Sequence, residues 1–137
     1  MRQVKHKIVG AFEKIEFPEF NMHGIVAKID TGAFTGALHA TRIHEGEEDG
    51  EKVLYFSPFD HPEEVHKTPN FGRKIVRSSN GVQAERYFIE TRVLLKKRLY
   101  AITLTLSDRS EMKWPVLIGR RFLRVNELVV DVSRKRK

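Results

Sequence analysis

The sequence predicts an all-β fold, a small closed β-barrel with one short helix near the C-terminus. Two observations favour this class. Many short apolar segments follow one another at near-regular spacing, and turn-forming residues separate them. The length of 137 residues fits one ordinary domain, and a composition of 40% hydrophobic and 31% charged residues is that of a globular protein. We predict one domain over residues 1–133, followed by a basic tail at 134–137.

In the first half of the chain, four short apolar segments are predicted as strands. They are residues 7–12, 24–29, 37–43 and 53–56. The acidic stretch 45–51 separates the last two. Its like charges repel and its glycines permit tight turning, so we expect an exposed loop that joins two strands of a hairpin. Three prolines in 57–72 predict a loop, or at most one helical turn.

The second half of the chain predicts two further hairpins. Asn80-Gly81 lies between segments 74–77 and 82–90, and Asn-Gly is the strongest short-range signal for a hairpin turn. Segments 92–95 and 99–106 form the other hairpin, turned at 96–98, and the second of them alternates between two faces. The remaining elements are predicted as a strand at 116–118, a helix at 120–125 and a last strand at 128–132.

Two motifs point to chemistry. Asp30-Thr31-Gly32-Ala33 follows the apolar strand 24–29, and Ile118-Gly119-Arg120 ends a second apolar strand much later in the chain. Taken alone, Asp-Thr-Gly is a common turn in which the aspartate accepts backbone hydrogen bonds. The two motifs with hairpins between them form a more specific pattern.

This layout resembles the retropepsin-like aspartic peptidases. Over nearly the whole chain it is similar to a group of bacterial and archaeal proteins labelled ATP-dependent zinc proteases, a domain of unknown function that often accompanies ATP-grasp ligases. The similar stretches occur in the same order along the chain. They are residues 28–33, Thr35, residues 37–40, Ser78-Ser79-Asn80-Gly81, residues 104–106, Met112 and residues 117–120.

The resemblance implies peptide hydrolysis by a water molecule held between two aspartates. Two carboxyl groups about 3 Å apart share one proton, so one acts as base while the other acts as acid. The chain contains one Asp-Thr-Gly, so a dyad requires Asp30 from each subunit of a two-fold homodimer. By the resemblance, Thr31 would hydrogen-bond across the dimer axis, Gly32 would let the two loops approach, and Ala33 would leave room for substrate.

The resemblance also implies a flap that closes over the bound peptide. Ser78, Ser79, Asn80 and Gly81 are the predicted tip, and an ordinary surface hairpin is the alternative interpretation. Together with Ala33 and Phe34 these residues form the predicted substrate-binding set, while Ile118, Gly119 and Arg120 are predicted to support the loop.

Two positions depart from the pattern of these families. Retroviral members carry an acid where Phe34 stands, and that acid pairs with the arginine of the Gly-Arg motif. Arg120 must therefore find another partner or reach solvent. The closer group usually has arginine at the position of Phe34 and serine at that of Gly36.

No metal or other cofactor is predicted. The six histidines do not form a His-Glu-x-x-His motif, and the spacing between His61 and His66 does not align them on one helical face. The absence of cysteine excludes a thiolate zinc site. The sequence also contains no Gly-rich nucleotide-binding loop, so any role of ATP is expected to come from a partner such as an ATP-grasp ligase.

The sequence thus predicts an aspartic endopeptidase that acts on a peptide or protein substrate. The alternative is a non-catalytic module of the same fold that binds a peptide, or a partner ligase, by strand addition. A nucleic-acid partner is disfavoured because the net charge of +7 is concentrated in the tail at 134–137. No apolar run approaches the roughly 18 residues of a membrane span, and no signal-peptide pattern is present, so we expect a soluble, cytoplasmic protein without a membrane partner.

Overall fold

Strands make up most of the structure, a computed structural model that describes residues 7–59, 61–77, 81–108 and 114–134. In chain order the strands are β1 (Lys7–Val9), β2 (Phe12–Phe17), β3 (Met22–Asp30), β4 (Gly36–Glu48), β5 (Glu51–Pro58), β6 (His66–Thr68), β7 (Phe71–Arg77), β8 (Gln83–Leu95), β9 (Arg98–Ser107), β10 (Val116–Gly119) and β11 (Leu128–Val130). Helix α1 spans Arg120–Val125, and a 3₁₀ turn spans Pro18–Phe20. The predicted all-β class is confirmed.

Six strands close a hydrogen-bonded ring. Their order is β10, β3, β2, β8, β9 and β4, and β4 pairs back with β10. β10 lies between β3 and β4, parallel to the first and antiparallel to the second. β5 and β6 extend the sheet from β4, β7 pairs with β8, and β1 and β11 form a separate parallel pair. This ring-like sheet is the closed architecture that the strand spacing predicts.

The core consists mainly of side chains on the inward faces of the strands, and all four residues of β10 are buried. In β9, Tyr100, Ile102, Leu104 and Leu106 are buried while Leu99 is 46% exposed, as its alternation predicts, but Thr105, predicted on the face of Leu99, is also buried. Each such side chain contributes roughly 1.5–3 kcal/mol when it is fully removed from water. The largest fully buried side chains include Phe17, Phe56, Ile15, Leu38 and Leu54.

The segment predicted as a single strand over 7–12 forms two strands instead. β1 pairs with β11, where Ile8 lies opposite Val129, whereas β2 pairs with β3. The chain changes partner at Gly10, where an added Cβ would lie 3.1 Å from the Cβ of Arg134. The separation of β1 from β2 therefore depends on a tertiary contact with Arg134, which lies far away in the sequence.

The acidic stretch 45–51 is not a loop, so that prediction was wrong. β4 and β5 continue through it, and only Asp49 and Gly50 turn, with φ of 54° and 79°. Positive φ at both central residues is what a two-residue hairpin turn requires. Lys67 binds Glu48 and offsets part of the charge repulsion that the prediction took to oppose pairing. The hairpin itself is confirmed.

The predicted hairpin between 74–77 and 82–90 is also confirmed. β7 and β8 pair in register from Phe71 opposite Ile89 to Arg77 opposite Gln83. β8 continues without interruption to Leu95, which unites two segments predicted separately.

The other connections differ from prediction only in detail. The next turn is Lys96-Lys97, with Arg98 already in β9. The proline-containing segment holds the short strand β6, which pairs with β5.

Helix α1 occupies the predicted residues, and β11 ends at Val130 rather than at 132. No helix within the described ranges is long and apolar enough to cross a membrane.

Candidate active site

Asp30 is the last residue of β3, and the loop that follows it leads into β4. Its carboxylate Oδ1 accepts a hydrogen bond from the backbone N–H of Gly32 at 3.0 Å, and its carbonyl accepts one from the N–H of Ala33 at 3.2 Å. These bonds form the tight turn expected for Asp-Thr-Gly. Asp30 is partly exposed and Thr31 is exposed, so the turn presents the carboxyl group at the surface of the subunit.

The segment after β10 holds this loop in place. Gly119 lies opposite Asp30 in the parallel pair of β10 and β3. The backbone N–H of Arg120 donates to the carbonyl of Ala33 at 2.8 Å, and that of Arg121 donates to the carbonyl of Phe34 at 3.1 Å. The first amides of a helix have no partner within it, and here the loop supplies their acceptors. Loop and helix therefore fix each other.

The structure shows which groups Arg120 contacts in the absence of an acid at position 34. Arg120 Nη1 donates to the carbonyl oxygen of Gly32 at 3.1 Å, and its guanidinium carbon lies 5.3 Å from the centroid of the Phe34 ring. A cation–π contact and a loop carbonyl thus serve as the partners of Arg120, in place of the acid that the retropepsin-like pattern carries at position 34. Phe34 remains 50% exposed beside the loop.

A lysine that the sequence analysis did not single out approaches the same loop. Lys74 in β7 donates from Nζ to Thr35 Oγ1 at 2.7 Å. Its burial lowers the pKa of Lys74, and the charge of Arg121 lowers it further. Within the described ranges no carboxylate forms an ion pair with Lys74, Arg120 or Arg121. The rim of the loop is therefore a cationic group of side chains that form no ion pair with a carboxylate of the described residues.

The predicted flap tip is only partly described. Ser78, Ser79 and Asn80 lie outside the described residues. Gly81 has φ of 84°, the left-handed conformation expected for the glycine of an Asn-Gly turn. β7 and β8, which lead to this turn, bring Lys74 to the loop of Asp30.

The sequence profile of the RimB-like family, described as "Retropepsin-like aspartic endopeptidase RimB", matches residues 8–137. The chain belongs to this family. The match covers the Asp30 loop, β10 and α1, and it confirms the retropepsin-like resemblance that the motifs indicated.

Curated relatives are longer proteins with a ligase name. A "Probable alpha-L-glutamate ligase" of Desulfotalea psychrophila is 31% identical over 95% of this chain and 29% of its own length. A protein of the same name from Shewanella pealeana is 30% identical over 92% of this chain and 28% of its own length. The chain thus spans less than a third of the length of these relatives.

A solved structure has the same fold. It is a Legionella pneumophila protein of unknown function, 24% identical, with a TM-score of 0.68 over 97% of this chain and 98% of that one. This likeness concerns the fold alone.

The histidines do not fit the zinc site that the group's label implies. Within the described ranges, the metal-compatible group found is His61, Glu63 and Glu64, with ligand atoms within 4.8 Å of one another. All three residues are exposed on one loop, whereas a structural zinc ion takes four ligands in a closed tetrahedron. His39 is buried, and its Nδ1 lies 3.9 Å from Asp108.

A cavity of about 470 Å³ adjoins the loop. Phe34, Thr35 and Gly119 form one side of it, and residues of α1, β8 and β9 form most of the rest. Thr91 also lines this cavity, and within the described part of the chain its buried hydroxyl has no hydrogen-bond partner. The volume lies within the range of roughly 300–1,000 Å³ typical of ligand pockets.

Proposed function

We propose that the chain is an aspartic endopeptidase that works as a homodimer, with Asp30 of the two subunits as its dyad. The observation that carries this proposal is the partly exposed carboxyl group of Asp30, held on a turn that β10 and α1 buttress. Membership of a family described as aspartic endopeptidases supports it. Since the sequence has one Asp-Thr-Gly, the second carboxyl group must come from another copy.

An exposed apolar face offers a place for that second copy. Ile8 and Val129 lie opposite each other in the pair of β1 and β11, and they are 38% and 45% exposed. Val132, just beyond β11, is 80% exposed. Exposed apolar residues grouped in this way favour association, and a two-fold axis would make the patch self-complementary.

The proposed chemistry uses a water molecule between the two carboxyl groups. The ionised Asp30 removes a proton from the water as its oxygen attacks the peptide carbonyl carbon, and the protonated Asp30 donates its proton to the carbonyl oxygen. Collapse of the tetrahedral intermediate then breaks the C–N bond. The nitrogen leaves with the proton that the base took from the water, and the other carboxylate takes back a proton from a hydroxyl of the intermediate, so the dyad again holds one proton. The Gly32 N–H bond to Oδ1 fixes the orientation of the carboxyl group on the turn.

We also propose that the substrates are α-glutamyl peptides. The curated relatives are named as α-L-glutamate ligases, and a peptidase domain joined to such an enzyme could cut the bonds that it makes. Lys74, Arg120 and Arg121 lie around the loop and form no ion pair with a carboxylate in the part of the chain that the structure describes, so their charge is available to bind substrate carboxylates.

The test compares the parent with Asp30→Asn on an oligo-α-glutamate peptide and an oligoglutamine peptide, with products identified by mass spectrometry. We expect the parent to cleave the glutamate peptide preferentially and Asp30→Asn to lose at least about 10³-fold in rate, because an amide cannot act as base. Asp49→Asn, in the exposed turn of β4 and β5, is the matched control and should cleave normally. Cleavage by Asp30→Asn at the parental rate would refute the proposal.

Oligomeric state separates this proposal from its alternative. Sedimentation should show a dimer that Val129→Lys dissociates, with activity lost in parallel. A monomer that binds the peptide without cutting it would support a non-catalytic module that acts with an ATP-grasp ligase.

A further inference from the structure

The acidic extension of the β4–β5 hairpin reaches the two strands that carry the predicted flap. The hydroxyl of Tyr87 in β8 donates to Glu45 Oε2 at 2.7 Å, and Arg73 Nη2 in β7 lies 3.6 Å from the same oxygen. Arg73 and Tyr87 are directly opposite each other in the pair of β7 and β8. One carboxylate therefore contacts both strands at the same level.

The groups around Glu45 strengthen this contact. Arg73 Nη1 also donates to Glu85 Oε1 at 3.1 Å, and its guanidinium carbon lies 5.8 Å from the centroid of the Tyr87 ring. The hydrogen bond to Glu45 raises the pKa of Tyr87, so the phenol stays a donor. A lone exposed ion pair contributes little to the free energy of unfolding. A carboxylate that binds a phenol and a guanidinium together contributes more, because its removal breaks both interactions.

The same strand carries the contact at the active-site loop. Arg73 and Lys74 are consecutive in β7, so their side chains point to opposite faces of the sheet. On one face Arg73 meets Glu45, and on the other Lys74 donates to Thr35. Any displacement of β7 away from Glu45 therefore also displaces Lys74.

We propose that Glu45 is a positioning residue for substrate binding, which holds Arg73 and Tyr87 and so keeps Lys74 on Thr35 beside the loop of Asp30. This inference rests on the proposed role of Lys74 in binding substrate carboxylates. The inference also assigns a role to the acidic hairpin of β4 and β5, because this hairpin carries Glu45 to its contacts with β7 and β8.

The hairpin contains its own matched control. Glu48 accepts a hydrogen bond from Tyr55 at 2.6 Å and binds Lys67, the same chemistry as at Glu45. Both of these partners belong to β5 and β6 rather than to β7 and β8. Glu48→Gln therefore removes an equivalent network from the same hairpin without touching the strand that carries Lys74.

The experiment combines hydrogen–deuterium exchange with kinetics on the oligo-α-glutamate peptide. In Glu45→Gln and in Tyr87→Phe, we expect amides of β7 and of 83–89 to exchange about threefold to tenfold faster, the loss typical of a charge-assisted hydrogen bond. KM should rise by a similar factor while kcat stays within about twofold. Glu48→Gln should leave exchange in these strands and KM unchanged. In a Lys74→Met background, Glu45→Gln should no longer affect KM.

Each arm has a result that overturns the inference. Unchanged exchange in β7 for Glu45→Gln would refute it whether or not the protein cleaves peptides. A KM effect that persists without Lys74 would show that Glu45 acts by another route. If the parent binds but does not cleave the peptide, the proposed peptidase fails, and the dissociation constant then replaces KM in the same comparison.

Discussion

Gly119 lies against the loop that carries Asp30, and its replacement by alanine should displace that loop. Its φ of −86° suits any residue, so alanine would introduce no backbone strain. The added carbon would lie 2.7 Å from the carbonyl oxygen of Phe34, 2.8 Å from the carbonyl carbon of Thr35 and 2.9 Å from the carbonyl oxygen of Ala33. Carbon–oxygen contacts normally begin at about 3.3 Å, so the loop must retreat by roughly half an ångström.

The loss of stability in Gly119→Ala depends on which atoms the added Cβ would contact. All three are backbone atoms, so no side chain can rotate to relieve the contact. Overpacking of this kind costs about 1–3 kcal/mol. Because displacements of about 1 Å can cost around 10²-fold in rate, we expect Gly119→Ala to lose up to that factor in kcat.

Urea unfolding and peptide cleavage, measured side by side, test this expectation. Gly24→Ala is the control, since its φ of 63° penalises alanine by about 1–2 kcal/mol while its Cβ would meet open space. The control should lose stability and keep kcat. Parental stability and activity in Gly119→Ala would refute the packing described here, and equal losses of kcat in both variants would show that activity follows stability alone.

Two further predictions concern buried polar groups. Within the described residues the hydroxyl of Thr91 has no partner, whereas that of Thr105 donates to the Gly36 carbonyl at 3.1 Å. Thr91→Val should keep or raise the free energy of unfolding, by up to about 1 kcal/mol, and Thr105→Val should lower it by about 1–2 kcal/mol; equal losses in urea titrations would contradict this. Because the pKa of Lys74 is lowered by burial and then by Arg121, its protonated form opposes folding. That opposition is complete below the folded pKa and fades as pH rises toward the ordinary value of about 10.4. Lys74→Met should therefore exceed the parent in stability by more at pH 7 than at pH 10, and thermal melts showing the reverse trend would refute the sign.

Local patterns predicted the elements whose structure depends on near neighbours. Helix α1 occupies the predicted residues because a glycine precedes it and a short amphipathic segment follows. The prediction for the acidic stretch 45–51 was wrong because tertiary contacts, which the local pattern does not show, stabilise it as two paired strands. Its charges are partnered by Lys67, 19 residues from Glu48, and by Tyr55 across the hairpin, so a stretch that looks self-repelling pairs as strands.

In the candidate site, too, contacts between near neighbours were predictable from the sequence and contacts between distant residues were not. The turn of Asp30 follows from its motif, because the aspartate and its N–H donor are two residues apart. The bond between Lys74 and Thr35 joins residues 39 apart, and sheet register alone brings them together. The partner of Arg120 is a backbone carbonyl, which no side-chain pattern could have signalled.

The position of β10 has a consequence for the order of assembly. Val116 of β10 pairs with both Ala27 of β3 and Leu38 of β4. Two strands from the first half of the chain therefore lack a partner until β10, near the C-terminal end, is added. Until it arrives, β3 and β4 present open edges at this place, and contacts between such distant residues form slowly. A polypeptide still leaving the ribosome would hold the acid on an unbraced turn. Synthesis from the N-terminus thus delays completion of the Asp30 loop until β10 and α1 have been made.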